Sequence, residues 1–118
     1  IIGLVNEYLA GQEFPDDVFA VTGLTGRDHL QRSRQPILDW LNERARFGFF
    51  EWHSNVYMLK NLTPLLTLAD LAVDAEIVRA AGMALVEAIG HLNHLRRHGR
   101  ARRWRAESGV WLWQSVTA

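Results

Sequence analysis

The sequence predicts an all-α fold built from antiparallel α-hairpins, and three observations predict it. Apolar residues recur at spacings of three and four in four separate segments, the period of a one-sided helix. Capping residues or glycines punctuate those segments at the positions where helices start and stop. No window shows sustained strand alternation, and the links between segments are short enough to make α-hairpins.

The first helix is predicted over Ile1–Ala10, with Leu4, Val5, Tyr8 and Leu9 as its apolar set and Gly11 as its stop. A loop follows in GQEFPDDVFAVTGLTG, where Pro15, Gly23 and Gly26 interrupt any period. Thr25 then caps the second helix, and Asp28 three residues later makes a capping-box pattern. That helix places Leu30, Ile37, Leu38, Trp40, Leu41 and Ala45 inward, contains Pro36, and ends at Gly48. The third is predicted in YMLKNLTPLLTLADLA, with Leu59, Leu62, Leu65, Leu66 and Ala69 on one face. Asp74 caps the fourth, in which Ile77, Ala81, Ala84, Leu85, Ala88, Leu92 and Leu95 share a stripe.

Residues 1–95 therefore read as a helical domain, and residues 96–118 differ in kind. The body holds seven Lys/Arg against twelve Asp/Glu, and the tail six Arg against one Glu, so a net charge of zero hides −5 and +5. Six Arg fall in ten residues, Trp104, Trp111 and Trp113 accompany them, and the helical period is lost. The tail is expected to be poorly ordered, or loosely docked through Val110, Trp111, Leu112 and Trp113. The opening IIGLVNEYLAGQ has no Met and begins inside a helical pattern, so a fragment of a longer protein is expected.

Several functions are disfavoured. The chain has no Cys, which removes disulfides, thiol nucleophiles and thiolate metal sites, and no apolar run long enough for a membrane span. No cofactor is implied: the phosphate-binding glycine motifs, the nucleophile elbow and the zincin H-E-x-x-H are missing. No secretory pattern is present either, so a cytoplasmic setting is the expectation. Glu87, His91, His94 and His98 form one stripe, but spread over about 16 Å of helix they cannot share one ion. No metal site is assigned, and a solvated helix edge is the reading. The basic run RRHGRARRWR offers Arg for phosphates and Trp104 for stacking. It lacks a recognition motif and follows an acidic body, so nucleic-acid binding is not favoured.

The densest chemistry lies in FGFFEWHSNVY, Phe47 to Tyr57. Glu51 is a proton donor or acceptor whose aromatic neighbours can raise its pKa. His53 titrates near neutrality unaided. Tyr57 supplies a phenol, Asn55 an amide, Arg46 a fixed cation, and Trp52 a face for stacking on a sugar ring. Glu51, His53 and Tyr57 are the candidate catalytic residues; Arg46, Trp52 and Asn55 are the candidate substrate-binding residues. The alternative is a non-catalytic helical domain whose corner is structural, with Ser54 as an N-cap and the aromatics as core.

Three stretches, GQEFPDDVFAVTGLTGRDHL, WLNERARFGFFEWHSNVY and LTPLLTLADLAVDAEIVRAAGMAL, resemble a group of largely uncharacterised bacterial proteins. Their fold looks like the α/α toroid of six-hairpin glycosidases and polysaccharide lyases. The resemblance covers about residues 5 to 85 and fades after Leu85. Arg46, Gly48, Phe49, Glu51, Trp52, Ser54 and Tyr57 match its pattern R-x-G-F-x-E-W-x-S-x-x-Y, and Thr25, Gly26 and Arg27 match a T-G-R element. The resemblance implies one sector of a toroid, inactive in isolation, a glycan ligand, and further hairpins or another chain covering exposed apolar faces. Glu51 suits a glycosidase, with Asp16, Asp17 or Asp28 as second carboxylate; His53, Asn55 and Tyr57 suit a lyase.

Overall fold

The computed structural model describes residues 1–49 and 55–116, with the backbone alone at residues 55–59, 111, 113 and 115. The fold is all-α in its body: α1 spans Ile2–Glu13, α2 Gly26–Phe47, α3 Asn55–Leu71 and α4 Ala75–Arg97. Two of the predicted starts are seen in full. Thr25 accepts from the Asp28 N–H while the Asp28 carboxylate accepts from the Thr25 N–H, a complete capping box. Asp74 accepts from the N–H groups of Glu76 and Ile77 at the head of α4.

The helices form two antiparallel hairpins lying side by side. α1 packs on α2, α3 on α4, α2 on α4 and α1 on α3. Odd helices therefore share one layer and even helices another. Arg34 of α2 ties to Asp74 and Glu76 at the start of α4 by 2.6 Å contacts. Gln12 of α1 donates to the Leu71 carbonyl and accepts from the Val73 N–H at the α3–α4 link. These ties set α2 and α4 running the same way, with their C-termini toward the end where α3 begins.

The core is one cluster. Val5 and Tyr8 come from α1, Ile37, Leu38 and Leu41 from α2, Leu65 and Leu68 from α3, and Ile77, Ala81, Ala84 and Ala88 from α4. Burial pushes the Tyr8 phenol up, with the nearby Asp74 charge adding to it.

Three expectations differ from what is observed. Helix α1 runs through Gly11 to Glu13, because Gly11 is a crossing point rather than a stop. A Cβ on Gly11 would lie 2.4 Å from the Gly26 carbonyl oxygen, and one on Gly26 only 1.9 Å from the Phe14 carbonyl oxygen. Leu66, expected inward, is 57% exposed. The tail forms an antiparallel hairpin, β1 (Ala101–Arg105) against β2 (Trp111–Ser115), with Trp104 opposite Leu112. Ala101 is buried and the Arg100 N–H donates to the Leu95 carbonyl of α4, while the Val116 N–H donates to the Arg100 carbonyl and extends the hairpin. Val110 and Leu112, expected to dock, are exposed.

Gly11→Ala is expected to lower unfolding free energy by roughly 1–3 kcal/mol in urea titration, since the obstructing atoms are backbone. Gly3→Ala, whose methyl meets nothing within 4 Å, is expected not to destabilise.

Candidate functional site

The candidate groups belong to the corner between α2 and α3. Gly48 takes φ 75° and donates its N–H to the Arg44 carbonyl, closing α2 in a conformation that glycine enters without steric cost. Phe49 is buried and meets the Trp40 ring edge-on at a centroid distance of 6.0 Å. The Arg44 guanidinium lies 5.7 Å from the same indole and pairs with Glu43 at 2.7 Å. Gly48 and Phe49 thus serve the backbone and the core.

Arg46 and Phe47 face the other way. Both are exposed, Phe47 by 71%, and the guanidinium stands 5.4 Å from the phenyl ring. Asn55 opens α3 and Tyr57 follows in its first turn. The structure therefore brings the backbone positions of Arg46, Asn55 and Tyr57 to one end of the hairpins. Glu51, Trp52, His53 and Ser54 lie outside the described residues.

Asp16, Asp17 and Asp28 are at the opposite end of α2. The 22-residue α2, about 33 Å at the usual rise, separates Asp16 and Asp17 from the corner, and Asp28, in its first turn, is nearly as far. Glycosidase carboxylates stand about 5–10 Å apart, so none of the three partners an acid at the corner. Asp28 is instead the capping-box residue, its carboxyl held low by the Thr25 hydroxyl and N–H. Asp16 pairs with Arg27 at the surface.

The T-G-R-D-H run is accounted for residue by residue. Thr25 caps, Gly26 lets two backbones touch, Arg27 reaches Asp16, Asp28 completes the box, and His29 is buried. His29 Nδ1 lies 2.8 Å from Glu7 Oε1 and Nε2 lies 2.7 Å from Thr22 Oγ1. The carboxylate accepts, so Nδ1–H donates and Nε2 accepts from the hydroxyl. Phe19 stacks on the ring at 4.7 Å, and Arg32 meets Glu7 at 3.2 Å. Hydroxyl, imidazole and carboxylate in that order are the parts of a nucleophilic relay. Here the threonine also accepts from the Leu24 N–H, and the phenyl ring lies over the imidazole. The cluster is an anchor that holds the 14–25 loop onto α1 and α2. Sequence reasoning missed it; the signal was a histidine four residues after a helix cap, on the buried face of α2.

Elsewhere, the His94 and His98 rings lie 4.2 Å apart, tilted by 37°, and His91 stands 6.4 Å from His94. Among the described residues no group of three or more His, Asp or Glu is placed to hold a metal ion. No described helix is long and apolar enough to cross a membrane. A shallow depression on α3, lined by Leu66, Thr67, Ala69, Asp70 and Leu71, has one titratable group. On the tail hairpin the Arg102 guanidinium sits 5.5 Å from the Trp104 ring and donates to Gln114. Compared with known proteins, the chain matches no family model, no curated sequence and no solved structure.

Asp74 makes the acid sensitivity testable. The Arg34 guanidinium first, then the two capping N–H groups, hold its carboxyl below the usual range against partial desolvation. Its folded pKa lies below its unfolded one, so its stabilisation is complete above about pH 4 and is lost as pH falls through the folded value. Asp74→Asn is expected to lower stability at neutral pH by about 1–2 kcal/mol and to flatten the loss below about pH 4 in chemical denaturation. His29→Ala, leaving Glu7 half-buried beside a void, is expected to cost about 2–3 kcal/mol.

Proposed function

We propose that this chain is a sector of an α/α-toroid protein that binds a glycan at the α2–α3 corner. Glu51, His53 and Tyr57 are the reacting groups of this reading, and Arg46, Trp52 and Asn55 the binding groups. One observation supports it above the rest: two α-hairpins lie side by side with odd helices in one layer and even helices in the other. That is how successive hairpins sit in a toroid, with hairpin ends surrounding the ligand. At this end Phe47 is an exposed ring beside a guanidinium, a pairing that suits the apolar face and hydroxyl edge of a sugar.

Charge narrows the ligand. Arg46 is at the corner, Lys60 follows in the second turn of α3, and Arg96 and Arg97 close α4 toward the same end. Such an end attracts anions, so an acidic glycan is the favoured class. In a polyuronate, a cation on the carboxylate acidifies the neighbouring C–H, and a base that removes this proton starts elimination of the glycosidic oxygen. His53 or Tyr57 serves as that base in the lyase form of the reading; in the hydrolase form Glu51 protonates the leaving oxygen.

A second reading, a non-catalytic helical domain with a structural corner, draws on Gly48 and Phe49. Both residues of the motif are consumed by the helix stop and the core.

A screen of the complete parent protein against neutral and acidic polysaccharides, with Glu51→Gln and His53→Ala beside it, separates these readings. Turnover with an unsaturated product, lost about 10²-fold or more in His53→Ala and kept in Glu51→Gln, supports the lyase form. The opposite pattern supports the hydrolase form. No binding and no turnover on any glycan, with the chain folded, leaves the structural corner.

A further inference from the structure

We propose that the outward face of α4 pairs with the same face of a second copy of this chain, antiparallel about a two-fold axis at Val86. The inference uses none of the corner residues; it departs from the toroid reading in giving this face to a second copy rather than to a further hairpin. At 100° per residue, Ile77, Ala81, Ala84 and Ala88 mark the buried side of α4. The opposite side carries Met83, Val86 and Ile89, exposed by 59%, 71% and 54%. Gly82 and Gly90 lie on the same side with nothing within 4 Å of an added Cβ, so another backbone can approach closely there.

The seam repeats at three and four residues through Glu76, Arg79, Met83, Val86, Gly90, Asn93 and Arg97, the spacing of a helix that pairs with a helix. It also has a direction. Acid stands at its start in Glu76, one oxygen of which already meets Arg34, apolar and small residues fill its middle, and Arg96 and Arg97 stand at its end. In an antiparallel pair centred on Val86, Met83 faces Ile89 of the other copy and Gly82 faces Gly90. One heptad further out Glu76 faces Arg96, and Arg79 faces Asn93. A parallel pair would set Glu76 against Glu76, Arg79 against Arg79 and Arg97 against Arg97. Like charges directly opposed are unfavourable, so charge selects the antiparallel form.

The rest of the molecule has the same polarity. Beyond the seam the basic hairpin, with Arg102, Arg103 and Arg105 exposed, would reach over the partner's acidic end, where Asp70 and Asp74 lie. A 23-residue helix is about 34 Å long and a single helix strip falls short of the ~800 Å² per partner of a stable dimer. The dimer is therefore a weak one, micromolar or weaker, and sensitive to salt.

Sedimentation velocity of the 118-residue chain over a concentration series, at about 0.05 M and about 0.5 M salt, tests association. The expected result is a monomer–dimer equilibrium that weakens severalfold in high salt. Val86→Glu would set two carboxylates across the axis and weaken it at least tenfold, while Val21→Glu, exposed by 99% on the distant loop, would not change it. Circular dichroism should show both variants folded, since neither side chain is buried. The chain has no cysteine, so disulfide trapping reads orientation directly. Val86→Cys should cross-link to itself, and Met83→Cys should cross-link to Ile89→Cys but not to itself. A monomer throughout the low-salt series, or Met83→Cys trapping itself as efficiently as it traps Ile89→Cys, overturns the proposal and leaves this face to a different partner or to solvent.

Discussion

The alanine face of α4 is the constraint on which the rest of the architecture depends. Ala80, Ala81, Ala84 and Ala88 are all buried, and with Ile77 they form the surface that two other helices share. Small side chains allow α2 and α3 to approach the same helix at once, which larger residues would prevent. Because both neighbours sit on one side, the two hairpins lie side by side in layers, and the opposite side of α4 faces outward. An apolar residue on that outer side gains nothing from the fold of a single copy. Met83, Val86 and Ile89 are therefore informative in a way that the buried alanines are not.

Polar ties then orient what the alanines bring together. Arg34 bridges the cap of α4 and its first turn, and Gln12 satisfies both a carbonyl and an N–H of the α3–α4 link. His29 fastens the 14–25 loop. All three ties serve the end of the molecule remote from the α2–α3 corner. Chemistry-bearing residues at that remote end, Glu7, His29, Thr22 and Asp28 among them, are occupied by one another or by backbone. At the corner, by contrast, Arg46 and Phe47 are turned outward past a glycine stop and a buried phenylalanine.

How much of this was legible in the sequence follows from the range of each interaction. Thr25, Asp28 and Asp74 act on N–H groups two or three residues away, and their caps were readable directly. Helix period gave Ile37, Leu38 and Leu41 of α2 and Ile77, Ala81, Ala84, Ala88 and Leu95 of α4, but not the buried polar His29, Ser33 and Arg44. Gly11 was misread because its role is set by Gly26, fifteen residues later, whose backbone crosses it. Leu66 was misplaced because the leucines of α3 surround the helix, so period alone does not choose a side. The β1–β2 hairpin was missed because four of the five β1 residues are exposed and three of the five are Arg, which hides strand alternation. The available signal was Glu107-Ser108-Gly109, with Gly109 at φ 86°, between two runs containing Trp. For the site, Glu51, Trp52 and His53 lie outside the described residues, and Asn55 and Tyr57 are described by backbone alone.

Charge links the corner to the outer face of α4. Acid gathers where α1 ends and α4 begins, and cations gather where α2 ends, α3 begins and the tail hairpin docks. A molecule with zero net charge and this separation is a dipole, and the two proposals, an anion at one end and a second copy lying head to tail along the side, both draw on it. The two demands compete for the same arginines only at the end of α4, where Arg96 and Arg97 are. Arg46 and Lys60 lie on α2 and α3, off the seam, so pairing of two copies leaves the corner its own cations. A ligand that needed Arg96 and Arg97 as well would bind the monomer better than the dimer, and by linkage would drive the dimer apart.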